Sequence, residues 1–213
     1  MDRIAWRLIE TTGFTKLQEE EVLHRAAWQL LEEHLQLYMK EQNHTEIEGQ
    51  PKKDRVPSIL EDIKRNSWNK PYLRDYPEIQ FNLSHCHGMV ACIISSKEVG
   101  IDIEEIRAFP RAVMKKVCSK EEQQWIEQST CMEESFFRLW TLKESYIKAV
   151  GKGLSFPMKQ VDFSNSLNGE TNGKIHRNIH GNIHRKIQSN QSGYWFCQYI
   201  LEKKYILSIC VKD

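Results

Sequence analysis

Residues 136–154, FFRLWTLKESYIKAVGKGL, are the stretch from which the rest of this chain is read. At the helical repeat, Phe136, Leu139, Trp140, Leu142, Tyr146, Ile147, Ala149 and Val150 fill one broad apolar arc. That pattern predicts an amphipathic helix with the arc in a core. Arg138, Thr141 and Ser145 fall opposite, on the face expected to meet water. Glu144 and Lys148, one helical turn apart, share the border of the arc with Phe137. Lys143 points into the middle of the arc, an unusual place for a charge. Gly151-Lys152-Gly153 then ends the helix and lets backbone come close to a ligand. Two readings fit: a core helix with a surface salt bridge and a glycine cap, or a helix that carries charged groups to a ligand.

A chain of 213 residues makes one domain or two small ones. Its 40% apolar residues are enough for a real core, and no apolar run reaches membrane-spanning length. A net charge of +1 argues against broad electrostatic binding to nucleic acid or to an anionic membrane. The start, MDRIAWRLIE, carries an early acid and lacks the apolar stretch of a signal peptide. The six cysteines show no C-x-x-C spacing, so free thiols in a reducing cytoplasm are expected, without disulfides or a zinc site.

Taken in order, residues 3–9 read as a strand and 15–40 as a long amphipathic helix with Thr15 as its N-cap. A polar connector follows, and a short helix is expected within 57–76, before Asn69-Lys70-Pro71 holds Lys70 on a turn or extended loop. FNLSHCHGMVACIISS (81–96) reads as two strands with a polar corner at Ser84-His85. In VGIDIE (99–104), Val99, Ile101 and Ile103 face one side while Asp102 and Glu104 face the other. Two short helices follow over 109–118 and 119–128, the second opened by a Ser119–Glu122 capping box. After the glycine-ended helix, 161–163 reads as a short strand and 194–211 as a hairpin turning at Glu202-Lys203-Lys204. Residues 165–193 nearly repeat GKIHRNIH as GNIHRKIQ; asparagine and glycine there favour a mobile or ribbon-like excursion over a helix that would align His176, His180 and His184. Strands mixed irregularly with helices give an α+β class.

The chemistry starts from two carboxylates on one strand face. Asp102 and Glu104 repel one another, and burying them costs free energy unless a cation compensates. A divalent ion does so, and hard oxygen ligands point to magnesium. D-x-E by itself also describes the wet edge of a sheet; Glu144 as a third ligand and Lys148 one turn later favour the metal reading. In that reading the metal meets a pyrophosphate and the lysine steadies a phosphate leaving group. Ser84, His85 and Lys70 are candidate phosphate contacts, although a serine-histidine pair is also an ordinary satisfied turn. Neither a nucleophile elbow, a P-loop nor a dinucleotide fingerprint occurs.

Five blocks then stand in order: NKPYL (69–73), FNLSHCHGMVA (81–91), VGIDIEEI (99–106), CSKEEQQWI (118–126) and FFRLWTLKESYIKAVGKGLSFP (136–157). Together they resemble a 4′-phosphopantetheinyl transferase of the surfactin-synthetase-activating, Sfp-like type, over residues 69–157. The resemblance implies a pseudo-dimer of two similar α+β halves, here 1–98 and 99–213, with coenzyme A in the cleft between them. It implies transfer of phosphopantetheine from coenzyme A to a serine of an acyl or peptidyl carrier protein, by a monomer in the cytoplasm. Asp102, Glu104 and Glu144 would hold Mg²⁺. Lys148 would assist the leaving bisphosphate, and Glu144, directly or through water, would act as base. Lys70, Ser84 and His85 would bind the adenosine phosphates, with Lys143 near the phosphate groups. Asn69 stands where the family places glycine, and Lys16 and Arg25 are the candidate basic contacts of a poorly matching N-terminal region. The rivals are a Mg-dependent phosphoesterase or nuclease and a non-catalytic coenzyme A- or carrier-binding protein.

Overall fold

A computed structural model describes residues 2–43, 63–167, 175–177, 183–185 and 187–213. It mixes helices with antiparallel sheets. Strand β1 (Arg3–Leu8) pairs with β5 (Met89–Ser95), which pairs in turn with β4 (Gln80–Cys86), giving the order β1-β5-β4. The second sheet has the order β6-β10-β9, built from β6 (Val99–Glu105), β9 (Tyr194–Leu201) and β10 (Tyr205–Lys212). Both sheets therefore have the same connectivity: a strand, a helix, and a hairpin whose second strand returns to the first.

The helix belonging to the first sheet is α1 (Lys16–Asn43), capped by reciprocal bonds between Thr15 and Gln18. Its Leu23, Ala27, Leu30, Leu31 and Leu35 recur at helical spacing and bury against Phe81, Val90, Cys92 and Ile94. Short helices α2 (Arg111–Val117) and α3 (Lys120–Gln128) lead to α4 (Met132–Val150), the helix of the second sheet. Between the sheets, Met89, Ala91 and Ile93 of β5 meet Val99, Ile101, Ile103, Leu207 and Ile209. This inner layer explains the apolar runs of β5 and β10, which are covered on both faces.

Several expectations need correction. No helix occurs in residues 63–76; short strands β2 (Ile63–Arg65) and β3 (Pro71–Leu73) form a hairpin there, and 57–62 lie outside the described residues. Asn69, at φ 68, takes the left-handed geometry that a glycine would otherwise supply. The corner in 81–96 is His87-Gly88, with Gly88 at φ 69, so Ser84 and His85 lie within β4. Residues 161–163 are no strand: Val161 O accepts from Lys143 and the Phe163 N–H donates to Glu122, so side chains satisfy this backbone in place of a ladder. Of the expected wet face of α4, Arg138 alone stays partly exposed. Thr141 and Ser145 are fully buried against the second sheet, with Thr141 Oγ1 2.7 Å from Ser208 Oγ.

The capping box of Ser119 with Glu122 is present, and the closing hairpin turns at Glu202 and Lys203, both at positive φ. In the repeat region β7 (Ile175–Arg177) pairs antiparallel with β8 (Ile183–Arg185), so a ribbon forms there. The side chains of the three histidines lie outside the described residues.

Candidate active site

Gly100 brings the two functional elements together. A Cβ there would stand 1.9 Å from Ser145 O and 2.5 Å from Ala149 N, so only the bare backbone lets α4 settle on β6. The same strand face continues with Asp102 and Glu104, which therefore look at the turn of α4 that carries Glu144 and Lys148.

Asp102 is 4% exposed and Glu144 8%. Lys148 pairs with Asp102 across the strand, its Nζ 2.6 Å from Oδ1, in place of the expected partner Glu144 one helical turn away. Lys148 also donates to Ser84 Oγ at 2.9 Å, and Ser84 donates to Asp102 Oδ1 at 3.0 Å. Two buried carboxylate oxygens, Asp102 Oδ2 and Glu144 Oε1, have no hydrogen-bond partner. Burying such atoms unpaired is costly, so a cation or a hydrogen-bond donor bound there would stabilise them.

The electrostatics follow from burial and crowding. Burial pushes the Asp102 carboxyl up, against the Lys148 ammonium that holds it down. Burial, and then the charge of Asp102, raises Glu104, while Arg107 opposes at 2.9 Å. Glu144 is pushed up to about 7 by burial, then by Asp102, with Glu104 adding to the effect and Lys148 opposing it. A carboxyl poised near neutrality can take or release a proton at ordinary pH. Among the described residues no three His, Cys, Asp or Glu side chains converge closely enough to hold a metal as they stand. The donor set itself is of the hard-oxygen kind that suits magnesium, and its two orphaned oxygens are free to serve.

The remaining candidates divide. Lys70 lines a cleft of about 270 Å³ with Glu144, Lys148, Trp68 and Asn82. Its ammonium donates to Ala149 O at 2.7 Å and Val99 O at 3.4 Å, where it complements the carbonyl end of α4. Burial lowers its pKa to about 8. The Lys70 stem also crosses Gly151, where a Cβ would come within 2.8 Å of Cδ. Ser84 is buried between the carboxylate and the lysine, already committed to both. His85 faces a second groove of about 780 Å³, beside Arg25, His24 and Arg65. Crowding around its ring desolvates it and, with the Lys148 charge next, lowers its pKa. Lys16 is exposed on the first turn of α1, outside both cavities.

Lys143 is a correction. It is wholly enclosed, 2.8 Å from Glu122 Oε2, and donates further to Val161 O and Met158 O. Glu122 also accepts from the backbone of Ser119 and Phe163. Every donor of the Lys143 ammonium is engaged, so it ties α4 to α3 and to the 158–163 connector and offers nothing to a phosphate. Two residues escaped the reading of the sequence. Gly100 is the bare position on the Asp102/Glu104 face, and Asn82 shares the inner face of β4 with Ser84; alternation along each strand was the available signal.

The sequence model of the 4′-phosphopantetheinyl transferase superfamily matches residues 98–210. The chain belongs to that superfamily. It is 40% identical over 98 residues to 4′-phosphopantetheinyl transferase gsp of Aneurinibacillus migulanus, covering 45% of this chain and 40% of that protein. It is 38% identical over 93 residues to 4′-phosphopantetheinyl transferase Sfp of Bacillus subtilis (strain 168), covering 43% and 42% respectively. With the L-aminoadipate-semialdehyde dehydrogenase-phosphopantetheinyl transferase of Mus musculus it shares 33% identity over 121 residues, 49% of this chain and 39% of that one. The matches thus span about two fifths of these relatives' lengths. The superfamily segment contains β6 and α4, hence Asp102, Glu104, Glu144 and Lys148, whereas Lys70, Ser84 and His85 precede it.

Proposed function

We propose that this protein transfers 4′-phosphopantetheine from coenzyme A to a serine hydroxyl of an acyl or peptidyl carrier protein, releasing adenosine 3′,5′-bisphosphate. The observation that carries the proposal is the pair of orphaned, buried oxygens on Asp102 and Glu144 beside the Lys148 ammonium. The names of the matched relatives support the same reaction. The common connectivity of the two sheets supports a pseudo-dimer of halves 1–98 and 99–213 in one monomer, with the substrate cleft where β4 meets β6 and α4.

Asp102, Glu104 and Glu144 would hold Mg²⁺, which supplies positive charge to the pyrophosphate of coenzyme A. The chain's own residues then divide the work. Glu144, raised by burial and by its acidic neighbours, takes the proton of the serine hydroxyl directly or through a water. The serine oxygen forms a bond to the β-phosphorus as the bond to the bisphosphate oxygen breaks. Lys148 offsets the negative charge that gathers on the departing bisphosphate. Ser84 keeps Asp102 and Lys148 in register, His85 and Lys70 line the approaches for the adenosine phosphates, and the Gly151–Gly153 turn keeps the rim low.

Six free cysteines, and no described helix long and apolar enough to cross a membrane, support placement in a reducing cytoplasm. The near-zero net charge speaks against broad electrostatic binding to nucleic acid or to an anionic membrane. The experiment is to follow bisphosphate release from coenzyme A with and without an apo carrier. Release that requires the carrier supports transfer; equal release without it would show a phosphoesterase.

A further inference from the structure

Strand β4 runs beside β6 without a backbone ladder, because each belongs to a different sheet. Two side chains of β4 replace the ladder. Asn82 Oδ1 accepts from the Ile101 N–H at 3.0 Å, and Ser84 Oγ accepts from the Ile103 N–H at 3.2 Å. The two contacts step along both strands together, two residues at a time, so the strands run parallel here. Asp102 lies between the two clamped amides. Asn82 is 6% exposed and lines the same cleft as Glu144, Lys148 and Lys70, and among the described residues its amide nitrogen donates no hydrogen bond.

We infer that Asn82 is a positioning residue for the carboxylate centre. Its oxygen fixes the edge of β6 just before Asp102, and so sets where that carboxylate stands relative to Glu144 and to the β4 residues Ser84 and His85. An unclamped Ile101 amide, buried at the seam, would seek another acceptor and pull the strand with it. The neighbouring clamp uses a hydroxyl at the equivalent step of the strand, so a serine at position 82 has a chemistry already proven at this seam. The inference rests on the transferase reading with its bound divalent ion. It assigns Asn82 an action through the Ile101 amide and the strand that carries Asp102.

Asn82→Ala and Asn82→Ser differ by one oxygen atom and test this together. Mn²⁺ binding is read by the loss of the free-ion electron paramagnetic resonance signal, with hydrogen exchange at the Ile101 amide and carrier-transfer kinetics alongside. The expected result is a loss of about tenfold or more in Mn²⁺ affinity and in kcat for Asn82→Ala, with little change in the KM for coenzyme A. Ile101 exchange should accelerate while Ile103 stays protected, and Asn82→Ser should recover most of all three properties. Parent-like Mn²⁺ affinity and kcat in a folded Asn82→Ala protein would overturn the inference while leaving the transferase reading intact. So would an Asn82→Ala protein that fails to fold while Asn82→Ser folds, because the oxygen would then serve stability alone. A parent protein that neither binds Mn²⁺ nor modifies the carrier would instead overturn the reading of the function.

Discussion

Lys148 reaches from α4 to Asp102 on β6, 2.6 Å from Nζ to Oδ1, and leaves its helical neighbour Glu144 with an unpartnered buried oxygen. The charges at this site are therefore arranged between elements and not along the helix. One carboxylate is held by the lysine, a second is raised toward neutrality, and the lysine is itself steadied by Ser84.

Lys148→Ala should lower turnover far more than it weakens coenzyme A. A single preorganised donor to developing charge contributes about 10²–10³-fold to rate, and a loss of that order in kcat is expected, with KM for coenzyme A changed only a few-fold. Steady-state kinetics at saturating carrier measure it. Normal turnover with much weaker binding would give Lys148 a binding role instead.

The raised Glu144 carboxyl links stability to pH. Its folded-state pKa of about 7 stands above the ordinary carboxylate value of 4.5, so the folded protein holds a proton that the unfolded chain gives up earlier. In metal-free protein this destabilises the fold progressively as pH rises from about 4.5 to 7, the window between those two values. A divalent ion competes with the same proton, so the rise in Tm on adding Mg²⁺ should be larger at pH 7.5 than at pH 5.5. Thermal melts with and without Mg²⁺ at the two pH values decide it, and an equal or reversed shift counts against the carboxylate site.

Gly100→Ala should damage the site from beneath. The added methyl would fall 1.9 Å from the Ser145 carbonyl oxygen, and backbone cannot swing aside as a side chain can. Overpacking of this kind costs about 1–3 kcal/mol or more, to be read from urea denaturation. Carrier modification should fall beyond the loss of folded protein, since α4 and β6 would separate. An unperturbed protein would show that the close contact is dispensable.

Lys143→Met should act on stability and not on phosphate binding. Breaking a fully buried pair leaves Glu122 uncompensated, at a cost of about 3–5 kcal/mol. The double variant Lys143→Met/Glu122→Gln should recover part of that loss. Coenzyme A affinity of whatever folds should match the parent. A selective fall in that affinity would restore the ligand role that the geometry denies to Lys143.

Much of this was legible in the sequence because alternation and helical spacing are local. The strand at 99–105, the helix to Val150 with its left-handed Gly151 cap and the closing hairpin needed no long-range information. The polar stripe of Thr141 and Ser145 misled because small hydroxyl side chains suit both water and a tight seam against a sheet; Ser208 and Gly100 decide between them, 60 and more residues away in one case. Lys143 looked like a ligand because its partner Glu122 belongs to another helix, where it reads as a cap residue. Ser84 looked like a loop contact because the turn lies four residues later, at Gly88. The pairing of Lys148 with Asp102 over Glu144 depends on the docking of α4 on β6, which no sequence spacing records.

The central claim is tested most directly by incubating the protein with coenzyme A, Mg²⁺ and an apo carrier protein and measuring the intact mass of the carrier. The account predicts a gain of one phosphopantetheine on a single serine. It also predicts that the gain is lost with Glu144→Ala or Asp102→Ala protein that still melts cooperatively. A panel of carriers that stays unmodified, or full modification by either variant, would contradict it.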